Sequence, residues 1–203
     1  VKDSMVFIIR FILFALFHSI GASESFKKII AGDKSHEPRW YRLAYCTASL
    51  FMFMYTMAAY RNSSVLYFIP GVWSLIFYLA QLTVAIMLFY SLFQTGIPEF
   101  LGIRQLGREV IKQHLVKTGW YRRVRHPLYF LSLLFMALAP VMTVQWLLLT
   151  IFSLIYFILG AKIEEERLLL QFGDEYRQYM SETPFLIPSF KNRAMNIESA
   201  QGS

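Results

Sequence analysis

The sequence predicts an all-α, polytopic membrane protein of about five transmembrane helices, with a C-terminal helical hairpin and amphipathic helices on the cytoplasmic face. Three observations carry this expectation. Of the 203 residues, 56% are hydrophobic and 17% aromatic, above the 45–50% or so that is apolar in soluble domains. The excess falls in blocks, and a helix needs about 20 mostly apolar residues to cross a bilayer. The basic residues gather in alternate loops, as the positive-inside rule requires.

The spans are expected at residues 5–22, 41–60, 69–93, 128–144 and 145–161. The first carries Arg10, which is costly in lipid unless it faces protein or snorkels. Lys27, Lys28, Lys34, Arg39 and Arg42 follow it. The loop after the second span holds only Arg61. A basic loop from Arg104 to Arg125 separates the third and fourth spans, and the turn near Pro140 is uncharged. This alternation puts the N-terminus outside, and both basic loops and the C-terminus in the cytoplasm. The fourth block is short and is expected to tilt or stop early. Residues 103–116 have the spacing of a short amphipathic surface helix, with Ile103, Leu106, Val110, Ile111 and Leu115 near one stripe. Thr118 and Gly119 then break it. Residues 168–179 read as a second such helix, bent at Gly173 and ended by Pro184 and Pro188.

One membrane domain is expected at residues 1–190, with a polar, disordered tail at 191–203. The net charge of +7 is explained by topology, so no nucleic-acid partner is expected. Cys46 is the only cysteine, which excludes an intramolecular disulfide and a cysteine metal cluster; no metal site is expected. The first apolar block lacks a small-residue cleavage site and precedes basic residues, so it reads as a span rather than a leader. Oligomeric state is not encoded legibly.

The chemistry is concentrated in residues 114–129, His-Leu-Val-Lys-Thr-Gly-Trp-Tyr-Arg-Arg-Val-Arg-His-Pro-Leu-Tyr. Pro127 suits the first turn of the fourth span, where its missing N–H is not needed. The fourth and fifth spans are joined by a few residues and must form an antiparallel hairpin. That returns Glu164 to the membrane face of His126 and Tyr129. A polar constellation held against membrane helices suits a water-soluble cofactor bound at the bilayer surface. Arg122 and Arg123 read as lipid anchors, Glu165 and Glu166 as solvated, His18 as a packed polar residue, and Gln81 as a helix–helix hydrogen bond.

Three linked stretches resemble the isoprenylcysteine carboxyl methyltransferase and phospholipid methyltransferase group of integral-membrane enzymes. They are His-Leu-Val-x-x-Gly-x-Tyr at residues 114–121, Arg-His-Pro-x-Tyr at 125–129, and Glu-Glu with Phe-Gly-x-Glu-Tyr-x-x-Tyr at 164–179. The likeness covers residues 102–188. Phe17-His18-Ser19, Tyr41-Arg42-Leu43 and residues 100–105 are similar to the branch containing methanethiol S-methyltransferases and a nitrite-reduction accessory family. The resemblance implies S-adenosylmethionine as cofactor and S-adenosylhomocysteine as product. It implies that His114, Leu115, Val116, Tyr121, His126, Pro127, Tyr129 and Glu164 line the cofactor, with His126 or Tyr129 the first candidates for any general base.

In the carboxyl methyltransferases an arginine four residues before the matched glutamate orients the substrate carboxylate. Here that position is Gly160. A carboxylate without a bidentate partner is poorly held, which favours a small or lipophilic nucleophile, a thiol first. A carboxyl or phospholipid-amine acceptor is the alternative within the class. A non-catalytic membrane accessory protein or carrier is the second alternative; a carrier would place its polar groups near the midplane, whereas this chain gathers them at one surface.

Overall fold

The computed structural model describes residues 2–32, 38–59, 63–96 and 114–189. Seven α-helices lie in this part: α1 (Lys2–Ala22), α2 (Glu24–Ala31), α3 (Tyr41–Met57), α4 (Val72–Thr95), α5 (Pro127–Ala137), α6 (Val144–Phe172) and α7 (Asp174–Glu182). Three helices are long and apolar enough to cross a membrane: Asp3–Ala22, Val72–Thr95 and Val144–Phe172. The structure therefore supports an all-α membrane protein and places long helices at three of the five expected spans. α3 has 17 residues and α5 only 11. The expected fourth span stops at Ala137, before an uncharged turn and a short strand, and reaches only about 16 Å at 1.5 Å per residue. The surface helix expected at 103–116 and the tail at 191–203 fall outside the described residues.

Side-chain hydrogen bonds fix how the helices pair. Arg10 Nη1 donates to the Tyr55 carbonyl at 3.0 Å and lies over the Tyr55 ring. Tyr41 OH donates to the Gly21 carbonyl at 2.6 Å. α1 and α3 are thus antiparallel, and Arg10 faces protein. Gln81 of α4 donates to the Phe135 carbonyl of α5 at 3.0 Å, so Gln81 is the helix–helix tie expected of it. Phe11 packs on Phe152 and Ser19 meets Tyr156, so α1 and α6 run parallel. The neighbour order is α3, α1, α6, α5, α4. Phe7, Phe11, Ala59 and Leu149 form a buried cluster at the α1–α6 seam. The outer faces, such as Leu79, Leu82, Ile86 and Phe93 of α4, remain exposed apolar surface suited to lipid tails.

An element the sequence reading lacked sits at the end opposite Glu164. Strands β1 (Val65–Phe68) and β2 (Val141–Thr143) pair antiparallel, Val65 with Thr143 and Phe68 with Val141. Ile69 N–H donates to the Pro140 carbonyl and Val144 N–H to the Ser64 carbonyl. This two-stranded ladder staples the loop before α4 to the α5–α6 turn. It satisfies backbone groups that could not be left unpaired near lipid. α6 itself, at 29 residues, is about 43 Å long, against a hydrocarbon core of about 30 Å. Its C-terminal turns, from about Glu164 onward, therefore emerge at the membrane surface.

Candidate active site at the open end of the hairpin

Pro127 begins α5 and His126 precedes it. His126 has φ −118° and ψ 64°, outside the helical region that a following proline disfavours. Tyr129 follows on the first turn. Opposite, α6 presents Glu164 and Glu165. Tyr129 OH donates to Glu164 Oε2 at 3.0 Å. His126 Nδ1 lies 3.7 Å from the same oxygen. The His126 and Tyr129 rings stack at 5.5 Å, and Tyr129 stacks on Phe157 of α6 at 4.9 Å. Phe185 closes the far side of His126 edge-on. The Glu164 side chain is 47% exposed while that of His126 is 4% exposed, so the carboxylate faces outward and the imidazole inward.

One residue expected to be solvated proves central. Glu165 is buried rather than solvated. Its Oε1 accepts Arg125 Nε at 2.6 Å and lies 3.1 Å from His126 Nε2. Arg125 is drawn inward, not splayed to lipid. Its Nη1 donates to the carbonyls of Met180 at 2.8 Å and Thr183 at 2.7 Å, at the end of α7. An arginine there satisfies carbonyls that a helix end leaves free. Arg125 N–H also donates to the Pro184 carbonyl, and Ser189 N–H to that of Arg123. Successive helix positions point about 100° apart. Glu164 and Glu165 can therefore serve different neighbours, one facing the open site and one the latch. The adjacency of Arg125 to His126, and of Glu165 to Glu164, was the available signal.

The other expected cofactor residues are placed less directly. Tyr121 lies on a 3₁₀ turn, Gly119–Arg122, and its carbonyl accepts Tyr179 OH at 2.6 Å. Burial pushes the Tyr121 phenol up to about 12; nearby Glu164 adds to the rise, while Ser91 and Thr95 of α4 oppose it. Burial also pushes the Tyr176 and Tyr179 phenols up, so all three rings stay neutral at physiological pH. Pro127 is buried beneath His126. Leu115 and Val116 are half-buried and His114 exposed. Lys117 pairs with Glu175 at 2.7 Å, which ties this strand of chain to α7. Among the described residues, none of His114, Leu115 and Val116 makes a hydrogen bond or ring contact with the His126–Tyr129–Glu164 trio. No group of three or more metal-ligating side chains occurs among the described residues.

The 3₁₀ turn depends on Gly119, whose φ is +59° and whose missing Cβ leaves room for the Gln94 carboxamide. Gln94 Oε1 accepts the Trp120 N–H at 3.3 Å. Gly119→Ala is expected to cost about 1–2 kcal/mol from the left-handed backbone and to displace Gln94 as well. A lowered melting temperature of the detergent-solubilised protein, read by tryptophan fluorescence, checks this.

Apolar-surfaced helices with a cluster of polar and aromatic side chains at the open end of the hairpin define a membrane protein with a candidate ligand site there. The phospholipid methyltransferase family model matches residues 69–175, just over half of the chain, and the chain belongs to that family. The match includes α4, the trio and the latch residues Arg125 and Glu165, and excludes α1 and α3. Methanethiol S-methyltransferase 1 of Bradyrhizobium diazoefficiens is 35% identical over 108 residues, covering 51% of this chain and 38% of the relative. Methanethiol S-methyltransferase of Pseudomonas deceptionensis is 38% identical over 71 residues, covering 35% and 27%. That of Crocosphaera subtropica is 31% identical over 119 residues, covering 50% and 47%. The chain thus spans less than half the length of these curated relatives. No solved structure matches it.

Proposed function

We propose that the protein is a membrane methyltransferase that moves a methyl group from S-adenosylmethionine to a small thiol. The observation that carries this is the His126–Tyr129–Glu164 trio, joined across the α5–α6 hairpin in a chain of this family. The shared name of the relatives supports a thiol acceptor over a carboxylate or a phospholipid amine. Gly160, where a carboxylate-binding arginine would be needed, supports the same choice.

The residues present fit the cofactor. Glu164 is outward-facing and has acceptor capacity beyond its bond to Tyr129, which suits ribose hydroxyls or an ammonium group. The faces of Tyr121 and Tyr129 suit a sulfonium charge. Leu115, Val116 and Phe185 offer apolar walls for an adenine. When bound, the cofactor supplies an electrophilic methyl carbon. The chain's part is to align and to exclude water. Tyr129 orients Glu164 and is itself held flat by Phe157; His126 is fixed by Glu165 and Phe185. The cofactor-binding part is assigned to residues 102–188 of a single domain at 1–190. The site is assigned to the cytoplasmic face, with α3 and α5 completing a five-helix membrane layer.

Calorimetric titration of detergent-purified protein with S-adenosylmethionine and S-adenosylhomocysteine, followed by product analysis with methanethiol, tests the reading. Micromolar binding and formation of the dimethyl thioether are expected. A folded protein that binds neither ligand would sink it and bring an accessory or carrier role forward.

A further inference from the structure

Helix α2 takes little from the rest of the protein, yet it is well formed. It has eight residues, Glu24–Ala31, and none of them is buried. Helices shorter than about 12–15 residues are marginal in water on their own. Local devices help at both ends. Ser23 Oγ accepts the Phe26 N–H, Lys27 pairs with Glu24 at 2.9 Å, and Gly32, at φ +59°, closes the C-terminus. Successive helix positions turn by about 100°, so Phe26, Ile29 and Ile30 share one face and Glu24, Lys27 and Lys28 the opposite one. Phe26 reaches the Tyr41 ring at 6.5 Å, but Ile29 and Ile30 are 73% and 38% exposed. A short amphipathic helix with its apolar face open draws its stability from whatever covers that face.

Chain connectivity fixes the depth at which α2 lies. α1 has 21 residues and is about 31 Å long, which matches a hydrocarbon core of about 30 Å. Only Ser23 separates its last residue from α2, and the extended backbone there, φ −72° and ψ 141°, starts a new helix axis. α2 therefore begins at the level where α1 leaves the lipid. Arg167 of α6 marks the same level independently: it donates to the Ala22 carbonyl at 3.3 Å and lies 3.5 Å from Glu24. Arg167 stands three positions beyond Glu164, so α2 sits at the surface that carries the trio. Trp40 adds a further apolar group there. It precedes Tyr41, whose hydroxyl holds the Gly21 carbonyl, and it is 58% exposed. Lys28 and Arg39 are exposed at the same corner.

We propose that α2 and Trp40 form an interfacial anchor that seats on an anionic lipid surface. Ile29, Ile30 and Trp40 enter the boundary between headgroups and acyl chains, and Lys27, Lys28 and Arg39 meet anionic headgroups. Two observations choose this occupant. The open apolar face is continuous with the apolar surface of α1, a helix long enough to cross the bilayer that ends one residue away, and amphipathic helices of this kind lie in the interface plane. The charge at the corner is basic: Lys27, Lys28, Arg39 and Arg167 stand against Glu24, which favours anionic over zwitterionic lipid. The same charge opposes a second copy of this chain as the occupant, because like charges would then face each other. Trp40 suits the depth, its ring being apolar and its N–H polar. The anchor needs the membrane reading but not the methyl-transfer one.

The test uses the full chain in lipid nanodiscs, with Cys46→Ser and Ile29→Cys, the new thiol carrying an environment-sensitive fluorophore. Ile30→Cys serves as a second labelling position should the first disturb the fold. Quenching is compared between water-soluble acrylamide, spin-labelled phosphatidylcholine and spin-labelled phosphatidylglycerol. The label is expected to emit as in an apolar medium, to resist acrylamide and to be quenched by lipid, phosphatidylglycerol above phosphatidylcholine. Lys28→Gln and Arg39→Gln should each lower the preference for phosphatidylglycerol, by up to about fivefold per residue, and Lys28→Arg should keep it. A label quenched by acrylamide and not by lipid would place α2 in water and overturn the anchor. So would a label shielded from both, which means a protein partner, or one quenched equally by the two lipids, which removes the anionic preference.

Discussion

Glu165→Ala should release the C-terminal segment from the membrane helices. The carboxylate and the Arg125 guanidinium are each only 11% exposed, and removing one partner of a buried pair costs about 3–5 kcal/mol because the other charge is left uncompensated. Here the stranded group is the one that holds α7: Arg125 reaches the carbonyls of Met180 and Thr183. His126 would also lose its Nε2 partner. Residues 174–189 are therefore expected to gain protease sensitivity and fast amide exchange, and cofactor affinity should fall with them. Glu165→Gln keeps an acceptor for Arg125 without the charge and should lie between the two. Unchanged amide protection over 174–189 in Glu165→Ala would show that α7 is held by its tyrosines alone.

Glu164→Ala is expected to act differently, on binding rather than on folding. Its side chain is half-exposed, so little stability should be lost. Hydrogen bonds to a charged group are worth about 1.5–3 kcal/mol, a weakening of roughly 10- to 150-fold in the dissociation constant for S-adenosylmethionine. Tyr129→Phe should weaken binding less, because it removes only the hydroxyl that aims the carboxylate. The two changes share one hydrogen bond and should not add. A double-mutant cycle by calorimetry that returns full additivity would mean that Tyr129 does not act through Glu164.

The sequence made the hairpin legible because two apolar blocks with almost no polar residue between them have only one way to pack. From that followed the meeting of His126, Tyr129 and Glu164. Gly173 was equally readable: its φ of +53° ends α6 and starts α7. The role of Glu165 was not readable. Three consecutive glutamates look alike in sequence, and only the rotation of α6 against Arg125 decides which one is buried. The β1–β2 ladder was hidden for a similar reason. Residues 65–68 and 141–143 are too short to show a period, and their pairing is set by helices that bring distant loops together. α5 stops early, as the shortness of the 128–144 block suggested, because Pro140 and the β-branched Val141 and Thr143 favour extended chain. His18 meets Ser49 and Tyr45 of α3, residues 31 and 27 positions away that could not be paired with it by inspection.

The latch also sets an order of events during synthesis. Arg125 must wait for carbonyls made 55 and 58 residues later, which at about 5–20 residues per second is roughly 3–12 s. α1 likewise waits for α6 before its Phe11 and Ser19 find Phe152 and Tyr156. The newborn chain thus carries an inserted but unfinished helix layer until residues 174–189 have been made. A chain cut just after Phe172 would keep the hairpin and its carboxylates but leave Arg125 without the α7 carbonyls.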